Sequence, residues 1–204
     1  MACYIFGAGE MTALHRWPQP GDYVIAADGG WNACREVGLA PDLLLGDFDS
    51  LAELPSGVAM ERHPVEKDDT DMMLAIKRGL ALGYEEFHLY GGMGGRRTDH
   101  TVANLQALLY LANRGAQGWL YGQGEVYTAV CNTTAVFSAR ERGILSVFCL
   151  GGTARGVTIH GAQYEVTDAM LKADFPLGVS NHFAGKEVKI SVCDGSLLIG
   201  LLDE

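Results

Sequence analysis

Six aspartates stand in short polar or glycine-rich segments where carboxylates could do chemistry. Asp28 lies in Ala26-Ala27-Asp28-Gly29-Gly30, and Asp47 and Asp49 lie in Gly46-Asp47-Phe48-Asp49-Ser50. Asp68 and Asp71 belong to Lys67-Asp68-Asp69-Thr70-Asp71, and Asp99 closes the run Gly91-Gly92-Met93-Gly94-Gly95-Arg96-Arg97-Thr98-Asp99-His100. Carboxylates brought to one place repel, and their pKa values rise unless a cation sits among them. Asp47 and Asp49 are two apart, so in extended chain both side chains point to one side. Hard oxygen ligands of this kind suit Mg²⁺, which takes one or two carboxylates and fills its remaining positions with phosphate oxygens or water. The plainer reading of any single aspartate is a turn residue or helix cap. Their concentration at one edge is what points to a cation site.

Four glycines in the five residues 91–95 would let backbone N–H groups approach an anion closely, and a helix start just beyond adds its dipole. Arg96 and Arg97 supply positive charge for phosphate oxygens. Lys67 reads either as a surface partner of Asp68 or as a further phosphate contact. The chain has no G-x-x-x-x-G-K-[ST] loop, and Gly7-Ala8-Gly9 lacks the third glycine of a dinucleotide loop. His15, His63, His88 and His160 show no ligand spacing, and no Ser-His-Asp or Cys-His arrangement offers a covalent nucleophile.

These segments need strands and helices to hold them. Cys3–Phe6, Tyr23–Ala27, Leu43–Leu45, Val58–Glu61, Phe87–Tyr90 and Trp119–Tyr121 read as short buried strands. Met73, Ile76 and Leu80 share one face of a helix over 71–82, with Asp69 or Thr70 placed to cap it. Val102, Leu105, Leu109 and Ala112 do the same over 101–114. Alternation of strand and helix predicts a parallel sheet with flanking helices, and ligands of such sheets bind beyond the carboxyl ends of the strands. Past about residue 130 the helical signal fades. Strands are expected at 134–138, 144–150, 157–159, 163–166, 188–193 and 197–202, with one helical turn near 170–173 and a hairpin turn at Asp194-Gly195. The expected architecture is therefore an α/β domain over 1–130 followed by a small all-β sandwich domain over 131–204.

Composition narrows the function. The chain has 204 residues, 48% of them hydrophobic and 20% charged, as in ordinary globular proteins. A formal charge of −10 without a basic stripe argues against a nucleic-acid partner. No apolar run approaches the ~20 residues of a membrane span, and no signal peptide is visible, so a cytoplasmic protein is expected. Five widely spaced cysteines without a C-x-x-C pair suggest neither a disulfide framework nor zinc.

Taken in order, A-D-G-G at 27–30, G-D-F-D-S at 46–50, K-D-D-T-D at 67–71, G-G-M-G-G-R-R-T-D-H at 91–100 and G-V-S-N-H-F at 178–183 resemble the thiamin pyrophosphokinase family over nearly the whole chain. The resemblance implies a Rossmann-like nucleotide-binding domain, a C-terminal thiamin-binding β-sandwich and a homodimer. It implies transfer of pyrophosphate from ATP to the thiamin hydroxyl, with Mg²⁺ held by Asp47, Asp49 and Asp71. Asp28 and Gly29 would line the nucleotide site, and Gly91, Gly92, Gly94, Gly95 and Arg97 would meet the phosphates. Asp99 would lie beside the reacting hydroxyl, Ser180 and Asn181 would contact the thiamin pyrimidine, and Lys67, Arg97, Asp71 and Asp99 would form the catalytic group. Asp71 and Asp99 both remain candidates to orient or accept the hydroxyl proton. His182 stands where the family often has an acidic or other polar residue.

Two other functions fit fewer residues. Leu43 to Asp49 resembles the strand and D-x-D start of haloacid-dehalogenase-like phosphatases, with Asp47 and Asp49 as the Mg²⁺-dependent pair. A non-catalytic protein that binds thiamin or a nucleotide is the other.

Overall fold

A computed structural model describes residues 1–48, 57–64, 66, 68–95 and 97–203. The chain divides into two compact units, one of residues 1–104 with 118–123 and one of residues 105–117 with 124–204.

In the first unit the sheet is built on β1 (Cys3–Phe6), β2 (Tyr23–Ala27), β3 (Leu43–Gly46), β4 (Ala59–Arg62), β5 (Glu86–Tyr90) and β6 (Gln117–Gly122). Their order is β6-β5-β1-β2-β3-β4. The ladders from β5 to β4 are parallel, with Ile5 beside both Ile25 and Leu89. Ile5, Phe6, Ile25, Leu44, Leu45, Phe87, Leu89 and Tyr90 are fully buried. Such continuous apolar strands belong to a sheet covered on both faces. β4 is mostly exposed and forms the edge.

Helix α1 (Gly30–Glu36) packs on β1 and β2, and α2 (Asp71–Ala81) packs on β1, β2 and β3. Thr70 caps α2, its hydroxyl accepting from the Met73 N–H at 3.2 Å. Helix α3 covers Thr98–Ala112. The strand and helix positions predicted up to residue 122 recur within a few residues. α1 carries no clear sequence signal, because it is short, begins on glycine and buries only Gly30, Ala33 and Cys34, too small an apolar set for a clear period.

The second unit holds two antiparallel sets. One has the order β12-β9-β14-β7, with β7 (Glu125–Cys131), β9 (Ile144–Phe148), β12 (Gly178–His182) and β14 (Ser196–Leu202). The other has the order β11-β10-β13-β8, with β8 (Thr134–Phe137), β10 (Thr153–His160), β11 (Val166–Lys172) and β13 (Val188–Ser191). Three expectations are corrected here. Residues 170–172 are strand rather than a helical turn, because Leu171 and Lys172 pair with Ala154 and Thr153 and this pairing overrides local propensity. Asp194-Gly195 does not close a hairpin, since β13 and β14 lie in different sheets and the dipeptide carries the chain from one to the other. The strand expected at 163–166 begins only at Val166.

Candidate active site

The carboxyl ends of β1, β2 and β5 and the starts of α2 and α3 line a cavity of about 460 Å³ in the first unit. Its floor is two loops pressed together. The Gly7 N–H donates to Tyr90 O and the Gly9 N–H to Gly91 O, both at 2.8 Å. A Cβ on Gly91 would stand 2.4 Å from Gly7 O, and Gly91 has φ +64. Only glycine meets both demands without strain.

Asp28 also has a left-handed backbone, φ 48, and its N–H donates to Leu45 O at 2.7 Å. Asp28 and Asp71 both line the cavity, and the Oδ1 atom of each is shut off from solvent. Arg97 lines it as well and grips Asp99 in a fork: Nε donates to Oδ1 at 2.9 Å and Nη2 to Oδ2 at 2.7 Å. The hydrogen bond from Arg97 holds the Asp99 carboxyl at about 2, below the ordinary carboxylate range, with the arginine charge and the His100 backbone acting in the same direction. The shift opposes the rise that crowding of acids predicts, because Asp99 faces a cation.

The predicted site residues thus divide. Asp28, Asp71, Gly91, Gly92, Gly94, Gly95 and Arg97 are brought together around the cavity. Gly29 instead stands before α1 as its N-cap. Asp99 is exposed beside Arg97 and does not line the cavity. Asp47 follows β3, where its carbonyl accepts from Arg62 Nε at 3.4 Å, and it too is outside the lining. Asp49, Lys67 and Arg96 lie outside the described residues. Asp68 is exposed, and Asp69 pairs with Lys77 at 2.6 Å along the surface of α2.

Glu10, Thr70, Met72, Met93, His100 and Asn104 also line the cavity. His100 belongs to a motif read for its aspartate. Asn104 could have been found as the polar residue on an otherwise apolar α3 face. Met72 and Met93 carry no sequence signal beyond hydrophobicity.

In the second unit Asn181 is buried on β12. Its Nδ2 donates to Tyr164 O at 2.7 Å, and its Oδ1 accepts from the N–H groups of Tyr164 at 2.9 Å and His182 at 2.9 Å. It borders a small cavity of about 110 Å³ with Tyr164, Leu177 and Val179. Ser180 has φ 59, and its N–H donates to Ser146 Oγ at 3.2 Å. Among the described residues there is no group of three or more His, Cys, Asp or Glu able to hold a metal alone, and no helix is long and apolar enough to cross a membrane.

Residues 15–120 match the model of the thiamin pyrophosphokinase catalytic domain, and residues 136–197 match that of the thiamin pyrophosphokinase vitamin B1 binding domain. Catalytic segment first and vitamin-binding segment second define a class of two-part proteins. The chain belongs to the thiamin pyrophosphokinase family. A thiamine pyrophosphokinase of Bacillus subtilis is 32% identical over 90 residues, a match that spans 41% of this chain and 42% of that protein. The fold is similar to the crystal structure of Bacillus subtilis thiamine pyrophosphokinase, with a TM-score of 0.91 at 20% identity and full coverage of both chains. It is also similar to that of Geobacillus thermodenitrificans thiamin pyrophosphokinase, at 0.84 and 23% identity, over 100% of this chain and 98% of that one.

Proposed function

We propose that this chain transfers the pyrophosphoryl group of ATP to the hydroxyl of thiamin, forming thiamin diphosphate and AMP. The observation that carries this reading is the cavity of a catalytic-segment match, where a glycine floor, Arg97 and the carboxylates of Asp28 and Asp71 surround a space of about 460 Å³. In a Rossmann-like reading of the parallel sheet, such a space beyond the strand ends takes the nucleotide.

The reaction forms a bond from the thiamin oxygen to the β-phosphorus and breaks the bond from that phosphorus to the α-phosphate oxygen, so that AMP departs and the hydroxyl proton is released. Arg97 and the backbone of Gly91–Gly95 bind and align the phosphates, since this chemistry needs alignment and charge neutralisation more than a covalent nucleophile. Asp71 is placed to orient the hydroxyl, because it lines the cavity while Asp99 is exposed and held by Arg97. Asp99 orients Arg97. The donor chemistry suits Mg²⁺: the hard carboxylate oxygens of Asp28 and Asp71 at the cavity fit an ion that arrives with its phosphates. Asp71, with Asp47 and Asp49 as the sequence suggests, would hold it, and Asp28 would stay with the nucleotide. When bound, the ion supplies neutralisation of the phosphate charge.

Ser180 and Asn181 are assigned to the thiamin pyrimidine, supported by the vitamin-binding match over 136–197. A homodimer is supported by the exposed apolar side chains Tyr164, Met170, Phe175, Leu177 and Val179, which border two cavities whose linings share Leu171 and Leu177. Five free cysteines fit a reducing compartment, and we place the protein in the cytoplasm. Incubation with ATP, Mg²⁺ and thiamin tests the reading. AMP and thiamin diphosphate in equal amounts are expected. Free phosphate would instead favour the phosphatase, and no product the non-catalytic binder.

A further inference from the structure

Asn104 is 5% exposed, one of few buried polar side chains, and sits within α3 at the wall of the cavity. Its Nδ2 donates to Gly92 O at 2.7 Å. Gly92 itself is hemmed in. A Cβ there would lie 2.8 Å from Leu120 Cδ1, 3.0 Å from Asn104 Nδ2 and 3.4 Å from Met72 Cε. The carbonyl of Gly92 is thus tied by a side chain twelve residues later, and the peptide before it, at Gly91, is tied to the β1 loop through Gly9. A buried carbonyl that loses its donor incurs the desolvation penalty of an unmade hydrogen bond, so the loop would turn this group elsewhere.

We propose that Asn104 is a positioning residue for nucleotide binding: it anchors the Gly92 carbonyl and so sets the backbone of the 91–95 loop that meets the triphosphate. The inference rests on reading this cavity as the ATP site. Its action on ATP is indirect, through Gly92.

The informative variant is Asn104→Asp, which keeps the shape and replaces the donating amide by a carboxylate. At pH 8 the carboxylate faces the Gly92 carbonyl with no proton, and affinity for Mg²⁺-ATP, titrated calorimetrically without thiamin, is expected to fall about tenfold, the size of one buried hydrogen bond. Burial raises a carboxyl pKa, so toward pH 5.5 the acid form returns and donates its O–H to the carbonyl. The ratio of variant to parent affinity should therefore close as pH falls. Glu10, Asp28, Asp71, Arg97 and His100 line the same cavity in both proteins, and the Arg97–Asp99 pair stands at its edge, so the parent measured at each pH is the reference. KM for ATP should rise with the dissociation constant while KM for thiamin stays within about twofold. Should Asn104→Asp fail to fold, Asn104→Ser, too short to span to Gly92, is expected to show the same loss in ATP affinity with no recovery at low pH. ATP affinity equal to the parent's in either variant, or a deficit in Asn104→Asp that is constant across pH, overturns the proposal. A parent that itself binds no ATP overturns the functional reading together with it.

Discussion

Arg97 and Asp99 are two residues apart and share a two-pronged contact, so a change in one alters what the other can do. Removing the guanidinium in Arg97→Gln takes away the first cause of the low Asp99 pKa. Carbon-detected NMR titration should show the Asp99 carboxyl moving from about 2 toward its ordinary value of 3.8. Titration unchanged in the variant would show that the fork does not persist in solution. Asp71 is the sterner test of function. In Asp71→Asn the carboxylate that lines the cavity becomes neutral, and the loss expected is ~2–4 kcal/mol of transition-state stabilisation, the size of a single preorganised electrostatic contact. A turnover close to the parent's, measured with saturating Mg²⁺, would remove Asp71 from the chemistry.

At the scale of elements, the floor of the cavity depends on Gly91 and Gly7 meeting without side chains. Gly91→Ala adds a Cβ against Gly7 O and places alanine at positive φ, so destabilisation of at least about 2 kcal/mol is expected in urea titration. Stability within error of the parent would mean that the loops part easily.

Much of this framework was legible. The apolar runs ending at Phe6, Ala27 and Tyr90 announced strands, and the glycines and acids after them announced what their carboxyl ends carry. Other parts were not. β7 and β12 mix polar and apolar residues without clean alternation, and only their partners reveal them as strands. Sequence places Asp99 in the acidic rim, and its spacing from Arg97 says nothing about which way a long side chain folds back. Asn104 stands out as a polar residue on an apolar helix face, but its partner Gly92 is a contact no local pattern encodes.

For the whole molecule, pH and self-association are the accessible tests. His88 is 1% exposed on β5, with Nε2 donating to Glu86 Oε1 at 3.2 Å and Nδ1 accepting from the Tyr121 hydroxyl at 2.8 Å. Burial pushes its pKa below the ordinary 6.5, outweighing the pull of Glu86. The folded state therefore binds this proton less readily than the unfolded one. The stability tied to neutral His88 is complete above pH 6.5 and is lost as pH falls through the folded value. Urea midpoints measured from pH 8 to 5 should decline more steeply in the parent than in His88→Gln, and parallel curves would deny the histidine this role. For association, Phe175→Asp with Leu177→Asp puts charge into the exposed apolar patch, and sedimentation should show a dimer in the parent and a monomer in the variant. An unchanged dimer would locate the contact elsewhere.

The close backbone contact of Gly7 and Gly91 also constrains how this protein can vary. Two main chains in contact leave no slack, so lengthening either segment by a residue would slide every later amide off its partner. Insertions scanned through the region should survive only beyond this contact and outside the cavity lining, within 11–15. Changes in length would then fall on that outer stretch and leave the paired glycine segments as they are.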